Sequence, residues 1–161
     1  MATLTEITGK KPVGIRTPSW DYSPNTLALI EELGFLYDSS LMADDSPYEL
    51  VSAGRATGIV ELPVEWILDD APYFKMSRFA SLRPHTTPEE GYTILKAEFD
   101  VAYEEGGLFL LTTHPHIVGH RSRIVILERL IRYIREHPGV WFATHEQVAR
   151  YVKEETARTS N

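Results

Sequence analysis

The stretch "LFLLTTHPHIVGHRSR" (residues 108–123) decides how the chain is read. Residues 108–113 are an apolar run of the length and kind expected of a buried strand. The run breaks into His114, His116 and His120, and "RSRIVILERLIRYIREHPG" follows as a helix. That helix has apolar positions at Ile124, Leu127, Leu130, Ile131 and Ile134, basic residues near its end, and Pro138-Gly139 as its stop. Strand, polar loop, helix is the unit of a parallel α/β fold, in which chemistry gathers at the C-terminal ends of strands.

The same alternation extends in both directions. Upstream, "VGIR" (13–16), "FLYDS" (35–39) and "TGIVELPVEW" (57–66) read as extended segments, with Pro63 hinting at an edge or bulge. Between the first two, "SPNTLALIEELG" reads as a helix with Ser23 as N-cap, Pro24 at its first position and Gly34 as its stop, its inward face set by Leu27, Ile30 and Leu33. Thr87, Pro88 and Glu90 spell a capping box for a long helix that ends before Gly106. Downstream, "VWFA" (140–143) reads as a last strand, and Thr144 with Gln147 caps a last helix. The opening "LTEITGKKP" reads as the last turn of a helix, with Leu4 and Ile7 inward and Gly9 as its stop, as though the chain began inside a domain.

Composition narrows the function classes. The 161 residues, 43% hydrophobic and 24% charged, suit one globular domain. A net charge of −7 argues against nucleic-acid and anionic-membrane partners. The absence of cysteine excludes disulfides and thiolate metal sites. No apolar run approaches the ~20 residues of a membrane span, and the polar N-terminus is no secretory signal, which places the chain as written in the cytoplasm.

Three strand-end segments carry candidate chemistry. In "RTPSWDYSP", Arg16 can hold a carboxylate in a two-pronged pair, and backbone N–H groups after Pro18 can face an oxyanion; a surface turn with an aromatic lid has the same pattern. In "LPVEWILDDAPYF", Glu65, Asp69 and Asp70 flank aromatics, so one of these carboxylates can orient a histidine; a solvated acidic turn reads alike. In "LLTTHPHIVGH", His114 is placed as a general acid. A metal site made of His114, His116 and His120 is disfavoured, because in an extended segment His114 and His116 point to opposite sides and His120 lies beyond a glycine.

Together, "GIRTPSWDYSPNTLALIEELGFLYDSSLM", "GIVELPVEWILDDAPYF" and "LLTTHPHIVGHRSRIVILERLIRYI" resemble the later motifs of the polysaccharide deacetylase (NodB-homology) family, nearest the branch with cyclic-imide and allantoin-type amide hydrolases. The resemblance runs from about Ile7 to Val152. It implies a distorted (β/α) barrel, of which residues 1–161 are the C-terminal half, with parallel strands and covering helices. It implies hydrolysis of a C–N bond in an N-acetyl sugar or cyclic amide, assisted by a divalent metal, usually zinc. By motif, Arg16 resembles the arginine that pairs with the catalytic aspartate. The Ser19 N–H resembles the oxyanion donor, Glu65 the carboxylate that orients the histidine, and His114 the catalytic acid. Trp20, Asp21, Trp66, Asp69 and His116 are placed by position in a substrate pocket.

The family's Asp-Asp and His-x-x-x-His motifs, which supply the base and the metal ligands, are not in this sequence. No metal ligand is therefore assigned here. Half a barrel leaves strand edges and an apolar face bare, and losing even roughly 200 Å² of burial at ~25 cal/mol per Å² costs several kcal/mol. The expectation is a chain inactive alone, completed by an N-terminal half or by another copy. A non-catalytic half-barrel binding or assembly module, as a homodimer, is the alternative, and no nucleic-acid or membrane partner is expected.

Overall fold

The computed structural model describes residues 1–76 and 84–159. Two compact units emerge, Met1–Pro63 with the segment from Phe142 onward, and Val64–Trp141. No helix among the described residues is long and apolar enough to cross a membrane.

The first unit is built on a four-stranded sheet of order β1-β2-β4-β3, from β1 (Gly14–Ile15), β2 (Tyr37–Asp38), β3 (Tyr48–Ser52) and β4 (Arg55–Glu61). β1, β2 and β4 run parallel, and β3 is antiparallel to β4. The sheet is therefore mixed, which corrects the expectation of parallel strands alone. β3 went unread because "YELVS" places a charge at Glu49. Its hairpin turn is Ala53-Gly54, both at positive φ (49° and 77°), the two-residue turn that matches strand twist. At Gly14 a Cβ would fall 2.1 Å from the Tyr37 ring, so only glycine lets β1 and Tyr37 approach.

Three helices belong to this unit: α1 (Ala2–Thr8), α2 (Thr26–Leu33) and α7 (His145–Thr159). The start of α2 lies two residues later than read, at Asn25, because Ser23 spends its N–H and hydroxyl on the Thr26 hydroxyl (2.9 and 2.8 Å) in a separate turn. Ile30 is buried in a core with Phe35, Leu50 and Ile59, whereas Leu33 is exposed. Leu4 and Ile7 are exposed as well, not inward. α7 opens on the expected box, with the Thr144 N–H donating to Gln147 at 2.8 Å, and it buries Ala149 completely.

The second unit is mainly helical: α3 (Ala71–Phe74), α4 (Pro88–Glu105), α5 (Pro115–Val118) and α6 (Arg121–Arg135). The Thr87–Glu90 capping box and a left-handed Gly106 bound α4 as expected. On α6 the buried stripe is Ile126, Leu130 and Ile134, a clean i, i+4 series, while Ile124 and Ile131 face solvent. These pack with Phe74, Leu95, Phe99 and Ile117 into one core.

Two strand expectations are overturned. Of residues 108–113, only Thr112 pairs, in an isolated parallel bridge with Asp69, although Phe109 and Leu111 still pack on the core. Residues 140–143 form no strand, and Trp141 and Phe142 are exposed. An apolar run shows that a segment seeks burial; it does not show that a neighbouring strand is there to pair with it.

Candidate functional site

In the second unit, the chain after Pro63 enters a 3-10 turn, Trp66–Leu68, whose first N–H is capped by the Glu65 carboxylate at 2.7 Å. The turn delivers Asp69 and Asp70 in succession. Asp69 Oδ1 accepts from the Ala71 N–H at 2.6 Å and so starts α3. The Asp70 N–H donates to Thr112 O, and the Thr112 N–H donates to Leu68 O, which sets the 68–70 and 112–114 segments side by side.

Two residues beyond Thr112 this register places His114 against Asp70. One Asp70 oxygen lies 2.6 Å from His114 Nδ1, and the other accepts the His114 backbone N–H at 2.9 Å. Asp69 Oδ1 stands 3.6 Å from the same ring nitrogen. Both aspartates are buried, and the histidine side chain is 37% exposed. A carboxylate only accepts, so Nδ1 carries the hydrogen toward Asp70, and Nε2 is the nitrogen that can take up or release a proton toward the outside. The His116 ring meets the His114 ring edge-on at 5.6 Å.

The carboxylate that orients His114 is thus Asp70, not Glu65. The sequence left Asp69 and Asp70 open as candidates, and the turn decides between them, because it commits Glu65 to the Trp66 N–H. Trp66 is half-exposed on the same turn.

Among the described residues, Asp69, Asp70 and His114 form the one group whose potential ligand atoms lie within 4.8 Å of one another. They do not fit a metal centre. Both Asp70 oxygens are engaged by His114, Asp69 Oδ1 by Ala71, and the ring nitrogen on this side is the one bonded to Asp70. His116 and His120 join no such group.

In the first unit, Arg16 closes β1. Its Nε donates to Ser39 O (2.9 Å), and one terminal nitrogen contacts Ser39 Oγ (2.7 Å) and His145 Nε2 (3.2 Å). Burial, then the Arg16 charge, holds the His145 ring below the usual histidine value of 6.5. The ring therefore accepts at Nε2, and it stacks on Tyr37. Beyond Arg16 the chain makes a second 3-10 turn, Pro18–Trp20, in which Ser19 and Trp20 both adopt positive φ (56° and 58°). The turn bonds come from the N–H groups of Trp20 and Asp21, so the Ser19 N–H stands outside that ladder. Trp20 is partly buried and Asp21 exposed.

Beneath this turn lies a polar network that the sequence reading missed. Glu61 Oε1 accepts the N–H groups of Ser40 and Leu41, both at 2.8 Å, and Ser40 bridges Asp38 and the Thr17 N–H. Asp38 and Glu61 are fully buried. Desolvation, reinforced by Asp38, pushes the Glu61 carboxyl up from 4.5 to about 8. The signal was present: "GIVELPV" carries one carboxylate inside an apolar run, and a buried acid needs partners.

No family model matches the chain. A peptidoglycan deacetylase of Helicobacter pylori is 29% identical over 175 residues, covering 91% of this chain and 58% of that protein. A crystal structure from Mycobacterium smegmatis, provisionally assigned as a polysaccharide deacetylase, superposes with a TM-score of 0.86 at 35% identity, covering 96% of this chain and 54% of that one. The Puue allantoinase structure matches with a TM-score of 0.75 at 31% identity, over 91% of this chain and 48% of its own. This chain therefore spans about half the length of the relatives it matches. The resemblance read from three motifs holds in sequence and in fold: the chain is a relative of the polysaccharide deacetylases, with an allantoinase among its structural neighbours.

Proposed function

We propose that this chain is the C-terminal part of a hydrolase of non-peptide C–N bonds, acting on an N-acetyl sugar or a cyclic amide, in which His114 gives a proton to the leaving nitrogen. The observation that carries this reading is the double engagement of His114 by Asp70. A histidine held through Nδ1 and its own backbone N–H presents Nε2 in one orientation, and a positioned acid of this kind contributes roughly 10²–10⁴-fold to an acyl-transfer rate. Asp70 also stabilises the charged ring before it releases its proton.

The other roles follow the resemblance. Arg16 pairs a carboxylate, the Ser19 N–H faces the developing oxyanion, and Trp20, Asp21, Trp66, Asp69 and His116 contact substrate. The divalent metal, usually zinc in this family, is held by residues other than those of this chain. Its chemistry when bound is to polarise the scissile carbonyl. The fold is read as part of a distorted (β/α) barrel, completed by a complementary segment or by a second copy, and the working compartment as the cytoplasm. The relatives, about twice as long, support the need for such a complement.

The test is hydrolysis of N-acetylglucosamine oligomers and cyclic imides by the chain alone and by a form extended to the relatives' length. The extended form is expected to be active, and His114→Ala to lower its kcat by 10²-fold or more. An extended form whose rate is indifferent to His114 overturns the reading. Sedimentation of the present chain is expected to show association; a compact monomer with a cooperative melt overturns the completed-barrel part.

A further inference from the structure

Beside the His114–Asp70 pair the second unit contains a cavity of about 610 Å³. Its described lining includes Lys75, His85, His116, Ser122 and Arg123, with Tyr73 and Phe74 as apolar wall, and no acidic residue. The volume suits a sugar or a small cyclic amide rather than a bare ion.

Among the described residues, the charge around it is one-sided. Pro88 borders the cavity at the start of α4, and the two glutamates that follow are committed elsewhere: Glu89 pairs with Arg129 and Glu90 with Thr87. On the other side, Ser122 and Arg123 lie in the first turn of α6. That turn contains no acidic residue, and its N-cap, His120, makes no side-chain capping bond. A helix N-terminus is the positive end of the backbone dipole and favours anions. Here it carries Arg121 and Arg123 instead, and Arg121 is also held at a positive φ of 32°. Like charge set on a like pole is a local conflict of the sort that marks functional positions, because a bound anion relieves it.

The geometry points to this cavity as a binding site for the carboxylate of an acidic substrate. Arg123 and Lys75 supply the charge, Ser122 a hydroxyl, and His116 joins the cavity to the His114 ring. The inference rests on the functional reading above insofar as it calls the ligand a substrate; the binding itself does not depend on turnover. It divides the substrates of that reading into acidic and neutral ones and assigns this chain to the acidic kind.

A matched pair of sugars tests it: N-acetylmuramic acid, which bears a carboxylate, and N-acetylglucosamine, which does not. Their binding to the intact chain is followed by amide chemical-shift titration. The acid is expected to bind at least 10-fold more tightly at low salt, with shifts at Lys75, Ser122 and Arg123, and the preference is expected to shrink as salt rises. Arg123→Gln and Lys75→Met should each reduce the preference for the acid several-fold. Lys75 is exposed, so its variant reports even if Arg123→Gln folds poorly. Equal affinity for the two sugars, binding of neither at millimolar concentration, or a preference untouched by Lys75→Met overturns the proposal. Retained binding by a chain that fails to hydrolyse when extended counts against the hydrolase reading instead.

Discussion

Asp70 holds His114 by two bonds, one to the ring at 2.6 Å and one to the backbone at 2.9 Å, so a single buried carboxylate fixes both where the residue sits and how its ring turns. Asp70→Asn keeps the shape but offers one acceptor where two donors converge. It is expected to cost roughly 1–3 kcal/mol in urea unfolding and to abolish the slowly exchanging Nδ1–H resonance of His114. Glu65→Gln should leave that resonance in place. The opposite pattern would return the orienting role to Glu65.

Glu61 gives the first unit a pH dependence. Its folded carboxyl titrates at about 8, against 4.5 for an ordinary glutamate, so between these values the folded chain keeps a proton that the unfolded chain has lost. Stability therefore falls as pH rises across that window and levels off above it. Urea midpoints at pH 5, 6.5 and 8 should decline in that order. Glu61→Gln, which still accepts from Ser40 and Leu41 and can donate to Asp38, should flatten the slope and stabilise the chain at pH 8. A wild-type midpoint that rises over the same range would contradict the assignment.

His145 is expected to remain neutral, with its hydrogen on Nδ1, while Arg16 occupies Nε2. In an NMR titration its midpoint should fall below 6.5, and Arg16→Gln should move it upward without restoring it fully, because burial is the larger cause. An unchanged midpoint in the variant would mean that Arg16 does not act on this ring.

Gly91→Ala should destabilise the second unit although alanine is the better helix former by ~1 kcal/mol. A Cβ at Gly91 would meet Phe74 Cζ at 2.5 Å in the packed core, and overpacking of this kind costs about 1–3 kcal/mol. A more stable variant would show that Phe74 yields easily.

What the sequence revealed was mainly local. The boxes at Thr87–Glu90 and Thr144–Gln147 were legible because a cap is a contract between residues three apart. The strands at 108–113 and 140–143 failed because pairing depends on a partner that no local pattern reveals. His114 was legible as the residue at the end of an apolar run. Its partner was not, since the choice among Glu65, Asp69 and Asp70 depends on a 3-10 turn that reverses which carboxylate faces it. Glu61 could have been found by asking what a lone acid does in "GIVELPV".

The division of the chain has a kinetic consequence. The second unit is one uninterrupted stretch, Val64–Trp141, whereas the first is closed by α7, whose Ala149 is fully buried and whose Lys153 reaches back 95 positions to the Gly58 carbonyl. The second unit can fold from one continuous stretch, whereas the two-residue parallel strands β1 and β2 of the first unit close only with a helix from beyond that stretch. A chain cut after residue 141 therefore retains every residue of the second unit and leaves the first without α7.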